Sequence, residues 1–373
     1  MAAPLNGVKV IDFSTLLPGP MATLFLAEAG AEVIKIERPG TGEDIRHYEP
    51  RWGGESINFA MLNRGKKSVA VDLKNVAERE RLHPLIQSAD VLVEQFRPGV
   101  MKRLELDYAS VSRINPAIIY CSITGYGQNG PKRDRAGHDV NYIGDAGLLS
   151  LSMGSAETPV VPPGLIADIA GGSYPAVINI LLALRNKDQT GEGAYLDIAM
   201  TDGALPFMYW AIGNGVGANR WAGNGDERVT GGSPRYRLYP TADGKFIAAG
   251  PLEDKFWIAF ADAIGLESKY RDDSVDPKAT MVRVAQIIVA HDAAYWEPRF
   301  FKADCCCTVV KTVREAMDDE QFKHRGLFSQ KLVNAKGDSI PATPVPIVAS
   351  FRAHGNEGVG ASALGAHNDE YLK

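Results

Sequence analysis

In the first 125 positions the apolar residues fall in short runs separated by helical patterns. Val8-Lys9-Val10-Ile11-Asp12-Phe13 and Val33-Ile34-Lys35-Ile36-Glu37 are rich in β-branched residues, which suit a pleated sheet. Between them, Pro18-Gly19-Pro20 leads into the apolar stretch 21–29, and Gly30 follows. Proline at the start and glycine just past the end predict a helix. A strand–helix–strand unit implies parallel pairing. Further strands are expected at 67–73, 91–94 and 118–123, with a helical pattern over 76–88. The first half therefore reads as a doubly wound, Rossmann-like α/β domain on a parallel sheet. Its last element is a long apolar helix over 168–185, closed by Gly191.

Past Trp221 the texture changes. Residues 223–234 carry glycine and charge, as a loop does, and 236–250 reads as a hairpin around Ala242-Asp243-Gly244. Amphipathic helical patterns over 254–265, 281–289 and 296–303 complete a second, smaller α+β domain. From Pro341 the chain is rich in glycine and proline and is expected to be extended.

Composition narrows the function classes. A chain of 373 residues with 45% apolar and 23% charged residues is an ordinary globular sequence, long enough for two domains. Its net charge of -5 gives no general attraction to nucleic acid or anionic lipid, so a polyanionic ligand would need locally gathered cations. No run approaches 18 uncharged apolar residues, so no membrane span is expected. The N-terminus shows no cationic start followed by an apolar region, which points to a cytoplasmic protein. Four cysteines, three of them contiguous at Cys305, Cys306 and Cys307, make no disulfide framework.

Several motifs invite chemistry. Gly125-Tyr-Gly-Gln-Asn-Gly130 fits a dinucleotide fingerprint, but Pro131-Lys-Arg-Asp-Arg follows where a phosphate-holding helix should start, so NAD is excluded. Basic residues gather where strands end: Arg38, then Arg64, Lys66 and Lys67, then Arg97, Lys102 and Arg103. A phosphate-rich nucleotide site and a solvated charged face fit that spacing equally well. His138 follows the glycine turn, Asp168 opens an apolar helix as an N-cap would, and Glu253 is a first-turn acid. The cysteine triplet lacks metal-ligand spacing and reads as packing. His47, His83, His291, His324, His354 and His367 form no constellation, and no G-x-S-x-G elbow is present.

Read together, these segments resemble the family III CoA-transferase and α-methylacyl-CoA racemase superfamily over nearly the whole chain. The resemblance is carried by Gly7-Val-Lys-Val-Ile-Asp12 with Pro18-Gly-Pro20, Val33-Ile-Lys-Ile-Glu-Arg-Pro39, Leu62-Asn-Arg-Gly-Lys-Lys67 and Val93-Glu-Gln-Phe-Arg-Pro-Gly99. Gly125–Pro131, Gly191-Glu-Gly193 and Gln321–Phe328 continue it in the same order. The racemase branch is the closer match. Gly137-His-Asp-Val-Asn-Tyr142 is similar to its histidine segment, and Asp168 and Glu253 stand where it has an aspartate and a glutamate. Gly231-Gly-Ser-Pro-Arg-Tyr236 departs from the glycine-rich loop of the transferase branch, and Gly144-Asp145 and Val309 depart from the superfamily pattern.

The resemblance implies a large CoA-binding α/β domain over 1–200 and 330–373, a linker over 201–224 and a small α+β domain over 225–329. It implies CoA contacts at Arg38, Asn63, Lys66, Arg97, Arg103 and Tyr142, and an interlocked homodimer in which Glu253 serves one chain or the other. The expected reaction moves a proton at the carbon α to a CoA thioester. His138 and Asp168 would act on opposite faces, assisted by Glu253, with backbone N–H groups at the Asp168 helix start holding the enolate oxygen and with no metal or redox cofactor. The alternative is CoA transfer between carboxylic acids through an anhydride on Asp168.

Overall fold

The computed structural model describes residues 3–152, 160–353 and 358–372, so His354 lies outside the described residues. Two compact units emerge. One comprises Met1–Ala146, Gly164–Pro206 and Glu320–Lys373, and the other Gly147–Pro163 and Phe207–Asp319. The first unit holds β1 (Lys9–Asp12), α1 (Pro18–Glu28), β2 (Glu32–Glu37), β3 (Lys67–Ala70), β4 (Val91–Glu94), β5 (Ile119–Thr124), α2 (Asp139–Asp145), α3 (Tyr174–Thr190), β6 (Ala194–Ala199) and α4 (Met200–Ala204).

Six strands form one parallel sheet in the order β3-β2-β1-β4-β5-β6. Val10 pairs with both Val33 and Val91, so β1 and β4 flank the point where the strand order reverses. Ligands of such sheets bind beyond the carboxyl ends of the strands at that point. Ile11, Ile34, Val69, Leu92 and Tyr120 pack with Leu82, Leu85, Ile86 and Val111 in one core cluster. Strands covered on both faces read as continuous apolar runs, which is why five of them are visible in the sequence. The sixth, β6, has half-exposed and exposed residues through Asp197 and lacked that signature.

Two helices differ from their sequence patterns. The expected 76–88 helix breaks into Val76–Glu80 and His83–Ser88, because Pro84 fits only the first turn of a new helix. The expected 168–185 helix starts at Ile166 with a π-wound segment, Ile166–Ser173, and runs on as α3 to a left-handed Gly191. Ile166–Thr190 is, by length and composition alone, apolar enough to cross a membrane, a test that the core helix of a folded domain also passes. That apolarity has a use in the fold: Ala176, Ile180 and Ala183 are buried as α3 packs along β5, β6 and α1.

The tail is not merely extended. Ser339–Pro341 pairs with Lys331–Val333, and the chain then returns to the outer edge of β3. There Asn368 Oδ1 accepts from the Ala70 N–H at 2.8 Å, and His367 Nδ1 accepts from the Ser68 N–H at 3.2 Å.

In the second unit, α5 (Tyr209–Ala218) precedes a hairpin of β7 (Arg237–Pro240) and β8 (Phe246–Ala249), as the pattern predicts. Helices α6 (Asp254–Ile264), α7 (Pro277–Ile288) and α8 (Ala293–Ala303) follow, and β9 (Cys307–Val309) adds a third strand beside β8. Tyr239, Trp257, Phe260, Val284, Trp296 and Phe300 form the core with Cys305 and Cys307. Cys306, left-handed at φ 55°, turns outward between them. The expected linker over 201–224 is mostly helical: α4, a turn over Leu205–Met208, and α5, anchored by buried Ala204, Met208 and Ala211. Its repeated glycines lie on α5 instead of loosening a connection.

Candidate active site

The site is built where β5 ends. Gly125 and Gly127 follow the strand, and a Cβ at Gly125 would lie 2.3 Å from Tyr142 Cε1. A Cβ at Gly137 would meet the same ring atom at 2.7 Å. Gly125, the first glycine of the run that resembled a phosphate fingerprint, thus makes room with Gly137 for a tyrosine, whose hydroxyl donates to the Gly137 carbonyl at 2.5 Å. The Tyr142 ring also stands edge-on to Tyr126.

This packing fixes the start of α2. His138 is its N-cap residue, with extended backbone and its N–H bonded to Asn141 Oδ1 at 3.0 Å. The His138 side chain is exposed, whereas its neighbour Asp139 is buried. Asp139 Oδ1 accepts the Asp168 N–H at 2.9 Å and so ties α2 to the π-wound segment.

That segment crosses α4 at backbone contact. A Cβ on Gly171 would meet the Met200 carbonyl oxygen at 2.5 Å, and one on Gly203 would meet the Gly171 oxygen at 2.2 Å. Asp168 is the third residue of this segment, with Leu165 at its N-cap, so the N-cap reading of the sequence does not hold. Because Asp139 occupies the Asp168 N–H, this donor is not free to hold an enolate oxygen.

Asp168 is only partly accessible, and its carboxyl is pushed up to about 6. Burial is the main cause; the Asp139 charge adds to it, and the His138 charge opposes it. The imidazole and the carboxyl therefore stand within electrostatic reach of each other. Tyr142 is pushed up to about 12, first by burial and then by Asp168, while Arg97 works in the opposite direction.

The six expected CoA contacts divide into two groups. Arg38, Arg97 and Arg103 are exposed, and Arg38 is ion-paired with Asp44. Lys66 and Asn63 are enclosed, at 2% and 1% exposure. Lys66 Nζ donates to Asp12, Thr23, Asn63 and the Pro20 carbonyl, so it is a core cation and not a ligand contact. Asn63 Nδ2 is likewise spent on Glu43 and the Phe59 carbonyl. Tyr142 is buried under the site, as described above. Charge alone could not separate these cases, because every cation in the group follows or precedes a strand.

Glu253 belongs to the second unit. It caps α6, its carbonyl accepting from the Phe256 and Trp257 N–H groups, and its side chain is exposed. Its charge bears on the Cys306 thiol, which burial and then Glu253 push up. Asp139 is the functional residue that sequence reasoning missed. It stood inside the histidine segment, but nothing local announced that it would bond a backbone 29 residues on.

The comparisons with known proteins agree with one another. The family model described as CoA-transferase family III matches residues 5–368. The human alpha-methylacyl-CoA racemase is 33% identical over 92% of this chain and 86% of its own length. The acetyl-CoA:oxalate CoA-transferase of Acetobacter aceti is 30% identical over 92% of this chain and 89% of its own. A crystal structure of Rv3272 from Mycobacterium tuberculosis superposes with a TM-score of 0.82 at 27% identity, covering 100% of this chain and 99% of that one.

Proposed function

Since the chain belongs to CoA-transferase family III, an enzyme family, we propose that it is an α-methylacyl-CoA racemase, inverting the carbon α to a CoA thioester by proton transfer. The observation that carries this reading is a partly buried Asp168 carboxyl, raised to about 6 mainly by burial, that lies within electrostatic reach of His138. A thioester acidifies its α-hydrogen because enolate charge moves onto oxygen, yet inversion needs a base on one face and an acid on the other. An imidazole and a carboxyl raised to about 6 suit that exchange of roles, one group taking the proton while the other gives one back. Asp139 keeps the Asp168 backbone in place. In this reading Glu253 orients the imidazole or takes its proton. Arg38, Arg97 and Arg103 meet the CoA phosphates, and no metal or redox group takes part.

Incubation of a chiral 2-methylacyl-CoA in D₂O should introduce one deuteron at the α-carbon. His138→Ala should slow exchange from one enantiomer by about 10²–10⁴-fold and from the other by less. Absence of exchange across a panel of 2-methylacyl-CoA thioesters sinks the racemase reading. The second reading is CoA transfer, favoured by the equal coverage of an oxalate transferase. Acyl-CoA-dependent trapping of Asp168 by hydroxylamine, with no deuterium incorporation, is its signature.

The acyl-CoA enzyme is further proposed to work as a homodimer. On α3, Ile178 and Leu182 are 56% and 63% exposed, and on α5 Tyr209 and Val216 are 77% and 75% exposed. Exposed apolar side chains on consecutive turns of a helix are the surface that a second copy would cover. Sedimentation at twice the 40.3 kDa chain mass is expected, and Leu182→Glu should shift it toward the monomer.

A further inference from the structure

Beneath the site lies a charged cluster that the proton transfer does not use. Asp12, Lys35, Glu43 and Lys66 are each 3% exposed or less. Replacing such a cluster with well-packed apolar residues is often neutral or stabilising, so net stability does not explain it. Its bonds converge on one short segment, the turn between β1 and α1. Lys35 Nζ donates to the Ser14 carbonyl at 2.7 Å and pairs with Glu43 at 3.2 Å. Glu43 Oε2 accepts the Leu16 N–H at 2.8 Å, and Asp12 accepts both the N–H and the hydroxyl of Ser14. Lys66 Nζ reaches the Pro20 carbonyl at 2.8 Å, just past the turn. Leu16 is left-handed at φ 62°, a conformation that a leucine keeps only where its surroundings impose it.

The held turn leans on the segment that carries Asp168. The Pro18 carbonyl accepts the Ser173 hydroxyl at 2.7 Å, and the same hydroxyl lies 3.2 Å from the Asp168 carbonyl oxygen. A Cβ on Gly172 would stand 3.3 Å from Pro18 Cβ, so the Gly172 backbone packs close against the Pro18 ring. We propose that Lys35 and Glu43 are positioning residues, holding the Ser14–Leu16 turn and, through Pro18 and Ser173, the segment that presents Asp168 to substrate. Its consequence for rate rests on the reading of Asp168 as the reacting carboxyl; its mechanical part does not.

Both parts are tested on Lys35→Met, Glu43→Gln and Ser173→Ala in the full chain. In Lys35→Met and Glu43→Gln, amides in 13–19 and in 166–173 should exchange with deuterated solvent at least about tenfold faster, while 91–94 and 119–124 keep their protection. Turnover should fall by about 10- to 100-fold with KM changed less than about twofold, since misplacement of a reacting group acts on kcat. Ser173→Ala, which cuts only the last link, should loosen 166–173 and lower kcat while 13–19 stays protected. Lys245→Met, which breaks an exposed ion pair with Glu315, is the control and should change neither. Loosening of 13–19 with 166–173 still protected, or kcat unchanged when both loosen, overturns the proposal. A wild-type protein that neither exchanges α-protons nor traps at Asp168 refutes the chemical reading alone, and amide protection still decides whether the cluster holds the segment.

Discussion

Asp168 is costly to keep. Its folded value of about 6 lies above the ordinary 3.8, so the folded protein holds that proton more tightly than the unfolded chain does. Stability is gained as pH falls from about 6 toward 4, and at pH 7 the buried charge beside Asp139 is a net burden. Asp168→Asn should therefore abolish turnover yet raise stability at pH 7 by up to roughly 2 kcal/mol, discounted for partial exposure. That advantage should shrink as pH falls through about 6, which urea unfolding at pH 7.5, 6 and 4.5 would show. By the same sign, catalysis that needs Asp168 as base loses rate below about pH 6, so the acid limb of kcat/KM should fall there. Sequence alone placed His138 and Asp168 as partners through resemblance and local context. It misassigned Lys66 and Asn63, because a lysine beside a strand looks the same whether its ammonium group meets solvent or four internal oxygens.

Among the elements, the π-wound segment does most to shape the site. An ordinary α-helix from Asp168 was expected, and periodicity could not reveal the wider winding, which coincides with the close crossing of α4 at Gly171 and Gly203. Gly171→Ala should cost about 1–3 kcal/mol, since its Cβ would lie 2.5 Å from a backbone oxygen that cannot swing aside. A lowered urea midpoint with an unchanged slope would bear this out. The buried strands were legible because sheets covered on both faces demand uninterrupted apolar runs. Strand β6 was not, since Asp197 and its neighbours alternate toward solvent. Pro84 breaks a helix that the pattern joined, and the stretch over 201–224 that the resemblance made a linker is mostly helical.

At the scale of the whole molecule, the two units are not two halves of the sequence. The chain completes five strands of the large sheet, gives Gly147–Pro163 to the second unit, returns to add β6, builds the rest of the second unit over Phe207–Asp319, and then returns to the first. Asn368 brackets Ala70 with both amide atoms, taking its N–H and donating to its carbonyl, so the outer edge of β3 is occupied by a side chain from almost 300 positions later. Asn368→Ala should leave the sheet intact but expose an edge able to pair with another chain, and time-resolved light scattering at 37 °C should rise faster than for the wild type. Residues 67–70 are made early and their cover is made late. On the ribosome the large unit must wait, with one flank bare, through the synthesis of everything between, so the interval of greatest risk for this protein is set by translation speed across its middle.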